Sequence, residues 1–274
     1  MTLNLWKTRC GLVVERDDQF VTIDADIDDI FASDDPAALL RSAAGSATSE
    51  PDRPLAPIGS QEIWAAGVTY RRSKTARIAE SEDAQDAYEK VYDADRPELF
   101  FKSTPGRVAN PGTDVHIRRD ATWNVPEPEL TLAVNASGTI FGYCVGNDVS
   151  SRDIEGENPL YLPQAKVYDR SAAVGPALAI LPEPPPPETE IRLQIDRDGA
   201  IILRDSTTLA AMHRSLDELV AHLYSELTFP VGCLLMTGTG IVPDDDFTLH
   251  VGDRVTITID GVGQLRNTVG QRHA

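Results

Sequence analysis

The sequence predicts a strand-rich α+β fold with a rolled or barrel-like sheet. Short apolar runs separated by turn residues dominate the chain. The few helix-prone segments do not alternate with these runs, as a parallel α/β fold would require. At 274 residues the chain is long enough for one large domain with a small appendage.

The first 55 residues predict a small N-terminal α+β domain, and residues 56–274 predict the main domain. In the N-terminal part we expect short strands at 11–14 and 20–23 and a helix at 34–43, with a polar linker at 45–51. The main domain is expected to contain strands at 62–68, 99–102 and 115–118, a helix at 73–92, hairpins at 130–145 and 191–203, a helix at 215–227 and a strand pair around 255–259.

The strongest functional signal is a Glu-Pro-Glu segment with a later Asp. Glu127 and Glu129 open an apolar run, and on a strand residues two apart face the same side. The run breaks at 135–138 and resumes at 140–145, which predicts a hairpin. With its turn near Ser137, Asp148 lies opposite or diagonal to Glu127. We therefore expect three carboxylates to converge, with no cation in the hairpin to neutralise them.

Such convergence predicts a metal site. Like charges packed on a strand pair are destabilising. A hard divalent cation such as Mg²⁺, with Mn²⁺ also possible, relieves the repulsion. The alternative is a solvated strand face, which is where a Glu-x-Glu pattern usually lies. The apolar run behind the acids and the position of Asp148 favour the metal.

Composition limits the partners and the location. The net charge of −18 and a pI near 4.6 argue against binding to nucleic acid or anionic membranes. No apolar run approaches the ~20 residues of a membrane span, and the first residues do not have the pattern of an export signal. Three widely spaced Cys suit reduced thiols. We therefore expect a cytoplasmic protein.

The charged residues also predict a halophilic source. Asp outnumbers Glu by 27 to 16, and only five of the 25 cations are Lys. Acidic, Lys-poor surfaces suit proteins that stay hydrated at very high salt, where screening acts within about 3 Å at 1 M. The alternative is an acidic protein from an ordinary source.

Several segments together resemble the fumarylacetoacetate hydrolase superfamily. They are GVTY at 67–70, PELFFK at 97–102, EPEL at 127–130 and GYCVGNDVSSRD at 142–153. Residues 154–166, IEGENPLYLPQAK, resemble the branch that contains the 2-keto-3-deoxy-D-arabinonate and D-xylonate dehydratases. The resemblance implies a mixed-sheet β-roll, a homodimer or homotetramer, and a small-molecule 2-keto sugar acid as substrate.

The resemblance also implies site residues. It places Mg²⁺ on Glu127, Glu129 and Asp148, Lys166 beside the metal and Glu98 over the substrate. In the implied dehydration, the metal polarises the keto acid and a general base removes a C3 proton, while a general acid assists the departing C4 hydroxyl.

We assign this proton traffic to Glu98, which adjoins an apolar run. Lys166, one of few lysines, is expected either to hold the substrate oxyanion or to shuttle a proton. Each has an ordinary alternative, a surface Glu at a strand start and a flexible surface Lys. Further substrate contacts are expected from Thr239, in a small-residue loop, and from Arg72 and Ser73, which begin the predicted helix after Tyr70.

One departure from the family pattern leaves the reaction open. Hydrolytic members carry a His shortly after the Tyr of the first motif, whereas here Tyr70 is followed by Arg71-Arg72-Ser73. Dehydration of a 2-keto-3-deoxy-pentonate is therefore favoured over acylpyruvate-type carbon–carbon hydrolysis. Isomerisation or decarboxylation of unsaturated 2-keto dicarboxylic acids is another alternative, and a non-catalytic metal-stabilised binding protein is a third.

Overall fold

The protein was analysed as a computed structural model, which describes residues 3–71 and 90–272. Strands outnumber helices within those ranges, and the α+β prediction is confirmed. The strands are β1 Leu3–Thr8, β2 Gly11–Arg16, β3 Gln19–Ile23, β4 Gly45–Thr48, β5 Glu62–Gly67, β6 Glu98–Ser103, β7 Val108–Ala109, β8 Asp114–Ile117, β9 Asn124–Val125, β10 Pro128–Val134, β11 Ile140–Asp148, β12 Ser150–Ser151, β13 Ala172–Ala179, β14 Glu190–Arg197, β15 Ala200–Thr208, β16 Cys233–Met236, β17 Arg254–Ile259 and β18 Gly263–Gln271.

The described helices are short. They are α1 Ile27–Ala32, α2 Pro36–Ser42, α3 Arg152–Glu157, α4 Leu162–Lys166 and α5 Leu216–Tyr224. Ser215 begins α5 as its N-cap, where its hydroxyl accepts from the amide of Glu218. Among the described residues no helix is long and apolar enough to cross a membrane. The predicted helix at 73–92 lies mostly outside the described residues.

Two sheets form the framework. The larger has the strand order β4-β3-β2-β1-β13-β11-β10-β16-β5-β6, with β7 beside β13, and the smaller has the order β15-β14-β17-β18-β8. Both contain parallel and antiparallel pairs, as in the mixed sheet that the resemblance implies. The hairpins predicted at 130–145 and 191–203 are confirmed as β10–β11 and β14–β15.

The central hairpin β10–β11 is buried on both faces. Leu130 and Val145 contribute to the core that includes residues of the smaller sheet, such as Ile257. Ala133 on the opposite face packs in a second core with Phe31 of α1. Because strand residues alternate between these faces, the strand ends that carry the acidic residues are held from both sides.

The N-terminal segment joins the larger sheet. Strand β1 pairs with β13, with Leu5 opposite Leu178, and both side chains are fully buried. The segment 3–48 therefore shares its hydrogen bonds and a core with the rest of the chain. The division of the chain at residue 55 stays a prediction.

Strand β13 was not anticipated from the sequence. It pairs with β1, β7 and β11 in the larger sheet. Its sequence, AAVGPALA, contains Gly175 and Pro176 and few of the branched residues that favour strands. The pairing with β11 is irregular between Tyr143 and Val145, where Val145 pairs with Gly175, next to the proline that cannot donate to the ladder.

Candidate active site

The β10–β11 hairpin brings the three predicted carboxylates together. Pro128 pairs with Asn147 and Glu129 with Gly146, and the Asp148 amide donates to the Glu127 carbonyl at 3.0 Å. One carboxylate oxygen from each acid lies within 4.8 Å of the others. The predicted convergence is confirmed, while the role of these acids as metal ligands stays a prediction.

The acids are buried. Relative exposures are 4% for Glu127 and 1% each for Glu129 and Asp148. The alternative of a solvated strand face is therefore wrong, because water does not surround these carboxylates. A buried carboxylate needs compensating charge or hydrogen bonds.

The compensating cations come from outside the hairpin. The Lys166 ammonium lies 2.5 Å from Glu127 Oε2 and 3.2 Å from Asp148 Oδ2. Arg152 Nη2 lies 3.0 Å from Glu127 Oε1. Lys102 Nζ lies 2.5 Å from Asp148 Oδ1. Three buried cations thus form ion pairs with two of the three buried carboxylates, Glu127 and Asp148.

Lys102 is a site residue that the sequence reasoning missed. The sequence predicts it only as part of a buried strand. In the structure its side chain is fully buried, and Nζ donates to the carbonyls of Val149 (3.1 Å) and Lys166 (2.5 Å). Burial lowers its pKa, while Asp148 opposes that shift. The available signal was the position of Lys102 in PELFFK, one of the segments that carry the resemblance to the family.

Glu129 is held by the backbone. The Gly238 amide donates to Glu129 Oε2 at 2.6 Å. Gly238 has a φ of +90°, and a Cβ there would clash with Thr69 Oγ1, so glycine is required. Burial raises the pKa of Glu129 well above its usual value, and the charges of Asp148 and Glu127 raise it further.

Glu98 lies over the same cavity. It begins β6 opposite Gly67 of β5 and is half-buried. A Cβ on Gly67 would clash with Glu98 Oε2, so the glycine leaves room for the carboxyl group. The cavity is lined by Glu98, Phe100, Glu127, Glu129, Lys166 and Thr239, together with Arg152 and Glu155.

The other predicted contacts divide into two groups. Thr239 is buried and lines the cavity, and its hydroxyl accepts from the Ile241 amide at 3.1 Å. Arg72 and Ser73 lie outside the described residues, and their roles stay predictions. The buried carboxyl of Glu155 also lines the cavity and was missed, although it lies in the 154–166 segment.

Tyr70 is the neighbouring group of the first motif. Its side chain is fully buried, and burial raises its pKa above the usual value, with the charge of Glu129 adding to the shift. His213 comes close to Tyr70 through the main chain, because its amide donates to the carbonyl of the neighbouring Thr69 at 2.8 Å. The His213 imidazole stacks on Tyr92, with ring centroids 4.5 Å apart.

The donor set fits a hard divalent cation. Three carboxylates offer oxygen atoms, which Mg²⁺ and Mn²⁺ prefer. Burial and the charges of Asp148 and Glu127 raise the pKa of Glu129, so its negative charge remains costly without a metal ion even though Lys166 opposes the shift. The three buried carboxylates are therefore suitable ligands for the hard divalent cation that the sequence predicts.

Known proteins are similar to this chain in sequence and in fold. The fumarylacetoacetate (FAA) hydrolase C-terminal family model matches residues 62–270. A probable 2-keto-3-deoxyxylonate dehydratase of Haloferax volcanii is 52% identical over 78% of this chain and 73% of its own. A 2-dehydro-3-deoxy-D-arabinonate dehydratase of Saccharolobus solfataricus is 40% identical over 79% and 74%.

One solved structure is similar to this protein over the whole length of both chains. It is 2-keto-3-deoxy-D-arabinonate dehydratase in complex with magnesium and 2,5-dioxopentanoate, which superimposes with a TM-score of 0.86 at 32% identity and full coverage of both chains. The segment matched by the family model includes every acid and cation described above. The chain belongs to the fumarylacetoacetate hydrolase family.

Proposed function

We propose that the protein is a Mg²⁺-dependent hydro-lyase that converts a 2-keto-3-deoxy-D-pentonate into 2,5-dioxopentanoate and water. The observation that carries the proposal is the buried cluster of Glu127, Glu129 and Asp148 beside a cavity with Glu98 and Lys166. The dehydratase names of two relatives and the magnesium and product in the solved complex support the same reaction.

The relatives' two substrate names describe the same chemistry. D-xylonate and D-arabinonate differ only at C2 and C3, and the 2-keto and 3-deoxy groups remove both stereocentres. The proposed substrate therefore carries one stereocentre, at C4, together with hydroxyls at C4 and C5. Recognition of this acid requires a group for its carboxylate and groups for two hydroxyls.

The reaction begins with loss of a C3 proton and departure of the C4 hydroxyl as water. C5 then loses one C–H proton and its hydroxyl proton and becomes an aldehyde, while C3 and C4 each gain a proton. A bound Mg²⁺ would draw electron density from the keto group and make the C3 proton more acidic. Glu127, Glu129 and Asp148 would hold that ion.

The chain's own groups have separate tasks. Glu98, which lines the cavity together with Glu127 and Glu129, exchanges protons with C3 and with the departing hydroxyl. Lys166 and Thr239 line the cavity, where the ammonium would stabilise the substrate oxyanion and the Thr239 hydroxyl would contact the substrate. The buried strands around the cavity limit the access of water, which favours elimination over hydrolysis.

A carbon–carbon hydrolase of acylpyruvates is the rival reaction. It requires a water molecule activated by Glu98, for which hydrolytic relatives use a His near the first motif. No His follows Tyr70 closely in the sequence, and the His213 imidazole stacks on Tyr92. Dehydration requires no attacking water and so fits this site better.

The two reactions are separated by their products. Purified protein in molar KCl with Mg²⁺ is given 2-keto-3-deoxy-D-xylonate or an acylpyruvate, and aldehyde and pyruvate are measured. We expect 2,5-dioxopentanoate from the first substrate and no pyruvate from the second. In ²H₂O the product should carry solvent deuterium at C3 and C4. Release of pyruvate from the acylpyruvate, with no 2,5-dioxopentanoate from the sugar acid, would show that the protein is a hydrolase and not a dehydratase.

The setting of the enzyme is also proposed. We infer a cytoplasmic homodimer or homotetramer adapted to high salt. The net charge of −18 and the low Lys content support the adaptation to salt, and the assembly is inferred from the resemblance to the family. Light scattering gives the assembly, and unfolding curves in dilute buffer and in molar KCl test the salt requirement. Full stability and activity without added salt would contradict the halophilic part.

A further inference from the structure

The Lys166 ammonium lies between two of the acids proposed to hold the metal. Its Nζ is 2.5 Å from Glu127 Oε2 and 3.2 Å from Asp148 Oδ2. A single positive charge that contacts one oxygen from each acid has the position that a bridging cation would take. An ammonium and a divalent ion repel each other and cannot share that position.

Lys102 and Arg152 have different surroundings. The three donors of the Lys102 ammonium meet Asp148 Oδ1 and the carbonyls of Val149 and Lys166, so its position is tied to the backbone. Arg152 approaches the other oxygen of Glu127, Oε1, at 3.0 Å. In these ion pairs Lys102 and Arg152 approach Asp148 Oδ1 and Glu127 Oε1, whereas Lys166 approaches Glu127 Oε2 and Asp148 Oδ2.

The substrate cavity borders the position that Lys166 occupies. Lys166 is the last residue of α4, and its buried four-carbon side chain has several rotatable bonds. In its present position Nζ already lies 5.6 Å from the ring centroid of Phe100, which lines the cavity beside Glu98, so a shift toward the cavity keeps the ammonium beside this ring. A face of an aromatic ring within about 6 Å stabilises a cation. The substrate carboxylate would stabilise it further.

We propose that Lys166 is an exchangeable counter-cation, which neutralises Glu127 and Asp148 in the metal-free protein and moves into the substrate cavity when the metal binds. The inference rests on the proposed metal site and adds that metal binding and substrate binding are coupled through Lys166. Metal binding moves the Lys166 ammonium toward the substrate. In turn, a bound 2-keto acid that holds the ammonium in the cavity raises the affinity of the site for the metal. Lys102 and Arg152 stay in place throughout.

The wild-type protein tests the exchange directly. Its lysines are labelled by reductive methylation in EDTA and in Mg²⁺, and the modification of each is read by mass spectrometry. We expect Lys166 to be protected in EDTA and labelled several-fold faster in Mg²⁺. Lys102 should be protected in both conditions and the exposed Lys90 labelled in both.

Metal affinity provides the second readout, with Mn²⁺ followed by electron paramagnetic resonance. Lys166→Met removes the competing ammonium and should tighten Mn²⁺ by about tenfold, equivalent to about 1.4 kcal/mol. Arg152→Met removes an equal charge from the same Glu127. If total charge alone governed the affinity, both variants would bind Mn²⁺ equally more tightly. Because the proposed exchange makes Lys166 the competing cation, we expect a clearly smaller effect for Arg152→Met.

The outcomes distinguish the exchange from the proposed function. If Mn²⁺ binds the wild type but Lys166 labelling and the affinity of Lys166→Met do not change, the exchange is wrong and the metal-dependent lyase stands. Equal tightening in both Met variants also overturns it. If Mn²⁺ does not bind the wild type, the metal site and the exchange both fall.

Discussion

The backbone amide of Asp148 donates to the carbonyl of Glu127 at 3.0 Å, one step beyond the last regular pair of the β10–β11 hairpin. This hydrogen bond fixes the spacing of two acids through the main chain, so that their repulsion cannot be relieved by separating the strands. Site chemistry can therefore be changed by side-chain substitution while the hairpin persists.

Glu129→Gln separates metal binding from folding. The amide oxygen of Gln can still accept from Gly238, but one carboxylate is lost. We expect Mn²⁺ affinity and turnover to fall by at least about 100-fold, because loss of a ligand exceeds the 10–100-fold effect of an outer-shell partner. Unchanged turnover would contradict the ligand role. Glu226→Gln, at an exposed position, is the control.

The same variant should show a pH-dependent gain in stability without metal. The raised pKa of Glu129 means that the folded state binds a proton more tightly than the unfolded state. The contribution of Glu129 to the unfolding free energy is therefore full below its unfolded pKa and is lost as pH rises through its folded pKa. Relative to Glu129→Gln, the metal-free wild type should lose stability as pH rises above about 4.5. Denaturant curves at several pH values measure this, and a constant difference would contradict it.

Glu98→Gln should impair turnover while metal binding persists. The substitution keeps the size of the side chain but removes its ability to exchange protons with C3 and the departing hydroxyl. General acid–base groups contribute about 100- to 10,000-fold, and we expect kcat to fall in that range. Mn²⁺ affinity should change little, because Glu98 is not among the converging acids. A normal kcat would exclude Glu98 from the chemistry.

Gly67→Ala tests whether the position of Glu98 matters. The added Cβ would clash with Glu98 Oε2 and must displace the carboxyl group. A misplacement of about 1 Å can reduce turnover by about 100-fold, and we expect a loss of that order. At Gly106 a Cβ meets nothing within 4 Å, so Gly106→Ala is the matched control. Equal activity of the two variants would show that this contact is dispensable.

Gly238→Ala should weaken both folding and metal binding. The residue has φ +90°, a Cβ would clash with Thr69, and its amide holds Glu129. We expect the unfolding free energy to fall by about 3 kcal/mol from the strain and the clash. Gly252, with φ +96° and open space around it, isolates the strain, so Gly252→Ala should cost about 1 kcal/mol. Chemical denaturation measures both, and equal losses would contradict the role of the clash.

Much of the site was predictable because its spacing is local. Glu127 and Glu129 lie two apart on one strand, and Asp148 lies on the partner across a short turn, so period-two alternation was sufficient. Spacing alone does not bring Glu98 or Lys166 to these acids, and both were assigned to the site through the resemblance to the family.

The cations could not be predicted by the same reasoning. Lys102 reaches Asp148 from β6, which belongs to another part of the larger sheet, and no sequence periodicity connects the two residues. Strand β13 escaped prediction for a local reason, since alanines, Gly175 and Pro176 do not resemble a strand. Long-range strand order therefore hid the Lys102 contact, and local composition hid β13.

The central claim is metal-dependent dehydration, and the most direct test is to restore Mg²⁺ to chelated protein. EDTA-treated enzyme is given 2-keto-3-deoxy-D-xylonate in high salt, Mg²⁺ is added in steps, and 2,5-dioxopentanoate is trapped at its aldehyde. We expect no product in EDTA, and saturable recovery that Glu129→Gln does not show. Equal product formation with and without chelator, by protein shown to be metal-free, would contradict the account.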